Sequence, residues 1–140
     1  IHQLHQGGDL ILGNLLAERD FTYVDDSAEA LISLLLADVV IGEAINIGSG
    51  SACSVATLAS EIASIMRPGG FNLLHDPRLL RRQDVDLFLC DNRRLRELTG
   101  WAPLMGRADG LRRTVEWFNA HGQRWPWKHA VSERGTRIPA

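Results

Sequence analysis

Apolar and polar positions along this chain fall into short runs, and the Gly, Pro, Asn and Asp residues between them mark the element boundaries. Residues 1–8 read as the tail of a helix and a turn at Gly7-Gly8. Asp9-Leu10-Ile11-Leu12 is a short strand, and Gly13-Asn14 is a turn signal after it. Arg19-Asp20-Phe21-Thr22-Tyr23-Val24 alternates polar residues with aromatic and β-branched ones, the pattern of a half-buried strand. Asp25 or Asp26 then stands where an N-cap belongs. The helix that follows, over 27–37, is apolar nearly all round and is expected to be well buried.

The second half repeats the alternation of strand and helix. Ala44-Ile45-Asn46-Ile47 predicts a strand, left through Gly48-Ser49-Gly50-Ser51. Ser54 caps a helix to about Met66, with Val55, Leu58, Ala59, Ile62 and Met66 on one face, and Pro68-Gly69-Gly70 stops it. Phe71 to Leu74 is a strand, residues 76–84 an arginine-rich loop, and Val85 to Leu89 a short strand or extended segment. Asp91 or Asn92 caps a short helix ending at Thr99-Gly100, and Trp101-Ala102-Pro103 is a rigid exit. A last helix spans about Ala108 to Ala120, with Leu111, Thr114, Val115 and Phe118 inward. The sum is an α/β domain over 1–121, a small mixed sheet with flanking helices, and an aperiodic tail over 122–140.

Composition narrows the function classes. With 140 residues, 45% of them hydrophobic, the chain can bury one core. A net charge of −2 gives no broad field for nucleic acid or an anionic membrane. No apolar run approaches the roughly 18 residues of a membrane span. Ile1 stands where an initiator Met would, which leads us to expect a clipped chain or a fragment. Cys53 and Cys90 suit buried thiols in a reducing, cytoplasmic compartment. Lys128 is the single lysine and Tyr23 the single tyrosine, so chemistry that needs an adjacent Tyr-Lys pair is excluded.

Three clusters bear on chemistry. Arg19 at a strand mouth fits an anion ligand or a surface ion pair with Glu18 or Asp20. Arg81, Arg82 and Asp84 fit a phosphate site, with Asp84 orienting an arginine or accepting from a ribose hydroxyl or base, or else a solvated charged loop. Gly48-Ser49-Gly50-Ser51-Ala52-Cys53 resembles a dinucleotide turn, but Cys53 replaces the third Gly or Ala and no acidic strand end follows. A tight turn is the simpler reading. The histidines are scattered, His2 and His5 are spaced i, i+3 without a third ligand nearby, neither cysteine has metal-ligand spacing, and there is no nucleophile elbow.

In order, the motifs are Leu12-Gly13-Asn14, Arg19 to Asp26, Gly42 to Gly50, Ser54-Val55 with Leu58, Arg81 to Val85, Asp91-Asn92, Gly100 to Pro103 and Gly110 to Phe118. Together this set resembles the C-terminal part of an NAD-dependent epimerase/dehydratase, an extended short-chain dehydrogenase/reductase acting on nucleotide sugars. Gly13-Asn14-Leu15 and Cys90-Asp91-Asn92 look most like the 4,6-dehydratase branch.

The resemblance implies a substrate-binding lobe without its Rossmann lobe, and therefore no cofactor or catalytic residues in this chain. The complete enzyme would use NAD or NADP, act on a UDP-, GDP- or dTDP-linked sugar, and form a homodimer. Arg19 and Arg81 would clamp the diphosphate, Asp84 would lie at the ribose or base, and Asn46 and Tyr23 would be near. The family's Arg-Pro is Arg81-Arg82 here, so Arg82 competes for the clamp position. A stand-alone or vestigial nucleotide-sugar-binding module and a structural or oligomerisation domain are the rival readings.

Overall fold

The computed structural model describes residues 1–37 and 42–122. Two small sheets form, where the sequence predicts one. β1 (Leu10–Leu12) pairs in parallel with β4 (Leu73–His75). β2 (Glu18–Asp20) lies at the centre of a second sheet, antiparallel to β3 (Ala52–Ser54) and parallel to β5 (Leu87–Phe88). Five helices flank them: α1 (His2–His5), α2 (Val24–Leu35), α3 (Val55–Met66), α4 (Arg93–Thr99) and α5 (Arg107–His121). A single turn of 3-10 helix at Pro77–Leu79 sits in the arginine-rich loop.

Two apolar clusters are buried among the described residues. Leu4, Leu10, Ala59 and Ala63 form one, where α3 covers the β1–β4 pair with Leu12, Ile62, Met66, Phe71 and Leu73 around them. Gln3 occupies the free edge of β1: its carboxamide accepts from Ile11 N–H at 2.8 Å and donates to Ile11 C=O at 3.1 Å, as a neighbouring strand would. The second core joins α2 to α4 through Ala30, Leu95 and Trp101, with Leu34, Ile45 and Ile47 packed against it.

Several expected boundaries move. The predicted strand over 44–47 is extended, with Ile45 and Ile47 half-buried and Ala44 and Asn46 exposed. It joins no ladder among the described residues, and the strand forms later, at Ala52–Ser54, where β2 is available to pair. The strand predicted from Arg19 ends at Asp20. α2 therefore begins at Val24, with Tyr23 as its N-cap residue and Asp25 and Asp26 inside the first turn. Asp26 does not cap its own helix. Its buried carboxylate accepts from Leu104 N–H and Met105 N–H, both at 3.1 Å, and so ties α2 to the segment before α5.

α2 is also not well buried: of its residues only Asp26 and Ala30 are, while Leu31, Ile32 and Leu35 face outward. The Ser54 cap on α3 is present, its side chain accepting from Thr57 N–H at 3.0 Å. Asn92 holds the N-cap position of α4 without capping it; Asp91 takes Arg93 N–H instead. Apart from Gly122, the tail expected over 122–140 lies outside the described residues.

Candidate functional site

The chemistry-bearing residues meet at the edge of the second sheet. Pairing of β2 with β5, together with the bond from Glu18 N–H to Asp86 C=O at 2.7 Å, lays residues 84–88 alongside Arg19. The Arg19 guanidinium then makes three bonds. Nη1 donates to Val85 C=O at 2.6 Å and to Glu18 C=O at 2.8 Å, and Nη2 pairs with Asp84 Oδ1 at 2.6 Å. The Nε–H and one Nη2–H of Arg19 make no bond among the described residues. A guanidinium carries five donors in one plane, and two donors are what a phosphate takes bidentately.

Asp84 is fixed in turn. Its Oδ1 also accepts from Val85 N–H at 3.0 Å, and its Oδ2 accepts from Asn14 Nδ2 at 2.9 Å. The Asn14 hydrogen bond comes first, and with Arg19, Val85 N–H and the positive charge of Arg81 it holds the Asp84 carboxyl below the usual carboxylate range. Arg81 therefore lies within electrostatic reach of the cluster. Both Arg81 and Arg82 are exposed and make no hydrogen bond with a described residue.

The other predicted residues lie elsewhere. Asn46 is exposed on the unpaired segment, with no hydrogen bond to Arg19 or Asp84. Tyr23 packs against Gly110 of α5, where an added Cβ would come 3.1 Å from the ring. Tyr23 also lines a cavity of about 640 Å³, together with Phe21, Thr22, Cys53, Met105 and Arg107. That cavity contains none of Arg19, Arg81 or Asp84. Its arginine, Arg107, is paired with Glu61 at 2.8 Å, and burial pushes the Cys53 thiol up. The chemistry argued from charge thus belongs to the open Arg19–Asp84 cluster and not to that cavity.

Asp20, beside Arg19 in sequence, serves the turn over 48–51. It accepts from Ser49 N–H (3.0 Å), Ser49 Oγ–H (2.5 Å), Gly50 N–H (2.8 Å) and Cys90 N–H (3.3 Å). The turn allows little else: a Cβ on Gly48 would collide with Cys90, and Gly50 sits at φ +75° against Asn92. β3 separates this turn from α3, so its glycines do not open a helix as a dinucleotide turn does. Among the described residues no group of three His, Cys, Asp or Glu side chains is placed to hold a metal ion, and no helix is long and apolar enough to cross a membrane.

Sequence reasoning missed Asn14 as a site residue. Gly13-Asn14 carried a turn signal, and its bond to Asp84 spans 70 positions.

The cluster is an arginine-carboxylate-carboxamide set in which Asp84 joins Arg19 to Asn14. Residues 1–114 match the family model described as GDP-mannose 4,6 dehydratase. The chain belongs to this family. The chain is thus an extended short-chain dehydrogenase/reductase sequence of the epimerase/dehydratase type, and its α/β fold matches the C-terminal portion of such proteins.

A UDP-glucose 4-epimerase from Mycolicibacterium smegmatis is 33% identical over 115 residues, covering 81% of this chain and 35% of the relative. Among solved structures, an epimerase from Methanothermobacter thermautotrophicus superposes with a TM-score of 0.79 at 27% identity, over 87% of this chain and 36% of that one. The enzyme WbmF from Bordetella bronchiseptica, solved with NAD+ and UDP, gives 0.69 at 29% identity, over 87% and 35%. The family chain described here thus spans about a third of the length of the proteins it matches.

Proposed function

We propose that this chain is the substrate-binding portion of an NAD(P)-dependent nucleotide-sugar 4,6-dehydratase or epimerase, and that Arg19 and Arg81 hold the diphosphate of the nucleotide sugar. The single observation that carries the reading is the state of Arg19. Three protein bonds immobilise its guanidinium and leave two donors free. A diphosphate carries about two negative charges at neutral pH, and charge-assisted bidentate bonds from arginine suit it. Arg81, unpaired and near Asp84, supplies the second cation when the loop folds over the ligand. In this reading Asp84 orients Arg19, and Tyr23 supports α5.

The cofactor belongs to other parts of the complete enzyme. The relative solved with NAD+ and UDP supports a nicotinamide cofactor and a nucleotide substrate for the whole protein. This sequence contributes no Tyr-x-x-x-Lys pair, so its part is to anchor the remote end of the substrate.

Calorimetric titration of the chain with UDP, GDP and dTDP tests the proposal. We expect saturable binding of at least one of them, and Arg19→Ala should weaken it about ten- to hundred-fold, the worth of one charge-assisted contact. Absence of binding to all three, or an Arg19→Ala variant that binds like the parent, would overturn the reading.

A further inference from the structure

We propose that Asn14 is a positioning residue that sets the orientation of the Arg19 guanidinium through Asp84. The proposal rests on the reading of Arg19 as a diphosphate ligand and adds a residue to it.

The two ends of the Asn14 carboxamide face opposite demands. Its Oδ1 accepts from Leu16 N–H at 3.0 Å and from Ala17 N–H at 3.1 Å, which folds the β1–β2 connection into a side-chain-capped turn. Its Nδ2 donates to Asp84 Oδ2 at 2.9 Å. An acceptor is needed on one side and a donor on the other. Of the residues that favour this turn, only asparagine offers both at that reach. Aspartate could accept from the turn but would place a second carboxylate against Asp84.

The consequence reaches Arg19. A carboxylate anchored through one oxygen swings about that bond. Asp84 is anchored through both, Oδ1 by Arg19 Nη2 and Val85 N–H and Oδ2 by Asn14. That fixes the carboxylate plane and the position of Oδ1, which holds Nη2 while the Glu18 and Val85 carbonyls hold Nη1. The direction in which Arg19 presents its two free donors thus depends, through the Asp84 bond, on a turn 70 residues away from Asp84 in sequence.

Asn14→Asp separates positioning from folding. The new carboxylate still accepts from Leu16 and Ala17, so the turn should persist and the chain should stay folded, although loss of the bond to Asp84 should lower the urea midpoint at pH 8. At pH 8 it repels Asp84, and UDP affinity in the full 140-residue chain should fall about ten-fold, as expected for one misdirected charge-assisted contact. Two facing carboxylates bind a shared proton more tightly than either alone. At pH 5 that proton restores the donor, and affinity relative to the parent at the same pH should recover several-fold.

Asn14→Ala should lose affinity at both pH values without recovery. Parental affinity of Asn14→Asp at pH 8, or a loss that follows the urea midpoint and ignores pH, would overturn the proposal. If the parent binds none of UDP, GDP and dTDP, the diphosphate reading fails by itself. The Asn14–Asp84 contact on which positioning depends is then tested by the carboxyl carbon of Asp84 followed by NMR titration. Its midpoint should rise in Asn14→Asp, and an unmoved midpoint sinks the assignment.

Discussion

Asp20 shows how a side chain can be read correctly as charged and wrongly as a partner. It sits next to Arg19, and an ion pair between them is one reading of the sequence. In a strand, adjacent side chains point to opposite faces, so Arg19 and Asp20 cannot meet. Arg19 turns to Asp84, and Asp20 turns to the glycine turn and Cys90. Burial by itself raises the Asp20 pKa, but the bonds from the Ser49 hydroxyl and from the Gly50, Ser49 and Cys90 N–H groups outweigh it and leave the pKa lowered. A carboxyl lowered in the folded state contributes stability that is present above its unfolded value, near 3.9, and is lost as pH falls through the folded one. Asp20→Asn should therefore destabilise the chain by about 1–3 kcal/mol at pH 7, because the amide must turn an N–H₂ toward N–H donors. The difference from the parent should start to shrink below about pH 4, where the unfolded carboxyl takes up its proton, and should keep shrinking as pH falls through the lowered folded value. Urea unfolding of both proteins at several pH values checks this. Asp76 and Asp91, each lowered to about 2 by its arginine neighbour, titrate in both proteins and cancel from the comparison. A difference that stays constant with pH would rule out the carboxylate as the source.

At the level of elements, what the sequence revealed is what local chemistry decides. Ser54 caps α3 through Thr57 three residues on, and Gly100 closes α4 at φ +70°, both readable from nearest neighbours. Pairing partners are not local, and there the reading slipped. Ala44-Ile45-Asn46-Ile47 has the better strand pattern, yet no strand among the described residues lies beside it. Ala52–Ser54 pairs because β2 is within reach. The α2 cap was misread for a similar reason: Asp26 looks like a cap until Leu104 and Met105, 78 and 79 positions on, take its carboxylate. The Arg19–Asp84 cluster was half legible. Both residues stand out by type, but their contact depends on β2–β5 pairing, which leaves no mark in the pattern of either segment. The Ser54 cap yields a direct prediction. Ser54→Ala should cost about 1 kcal/mol, whereas Ser54→Asp should be close to neutral, since aspartate accepts the same N–H and carries negative charge at the positive end of the helix. Equal urea midpoints for Ser54→Ala and the parent would show that the cap does not stabilise α3.

On the scale of the whole molecule, the two cores are small and much apolar surface remains outside them. Along α2, Val24 is 68% exposed, Leu31 56%, Ile32 52% and Leu35 84%, and Leu36 after it is 79% exposed. Val85, Leu87, Phe88 and Leu89 form a second exposed apolar run, on the strand that positions Asp84. The inner side of α2 packs through Ala30 and Leu34 on the core that Ile45 and Ile47 also touch, and its outer side takes no part in that core. Apolar surface of this extent marks a contact face, and a fully buried leucine is worth roughly 1.5–3 kcal/mol. The 140-residue chain by itself should therefore self-associate. In sedimentation velocity, the average mass should rise with protein concentration through the micromolar range. The double variant Leu35→Glu with Leu36→Glu should shift that rise to higher concentration, and its helix content should be unchanged because both side chains point to water in the isolated chain. Val85→Glu should act on the second run in the same direction, and because Val85 supplies a carbonyl to Arg19 through its backbone only, the Arg19–Asp84 cluster should keep its hydrogen bonds. A parent chain that stays monomeric at the highest concentration, or variants that associate as it does, would place the contact on some other surface.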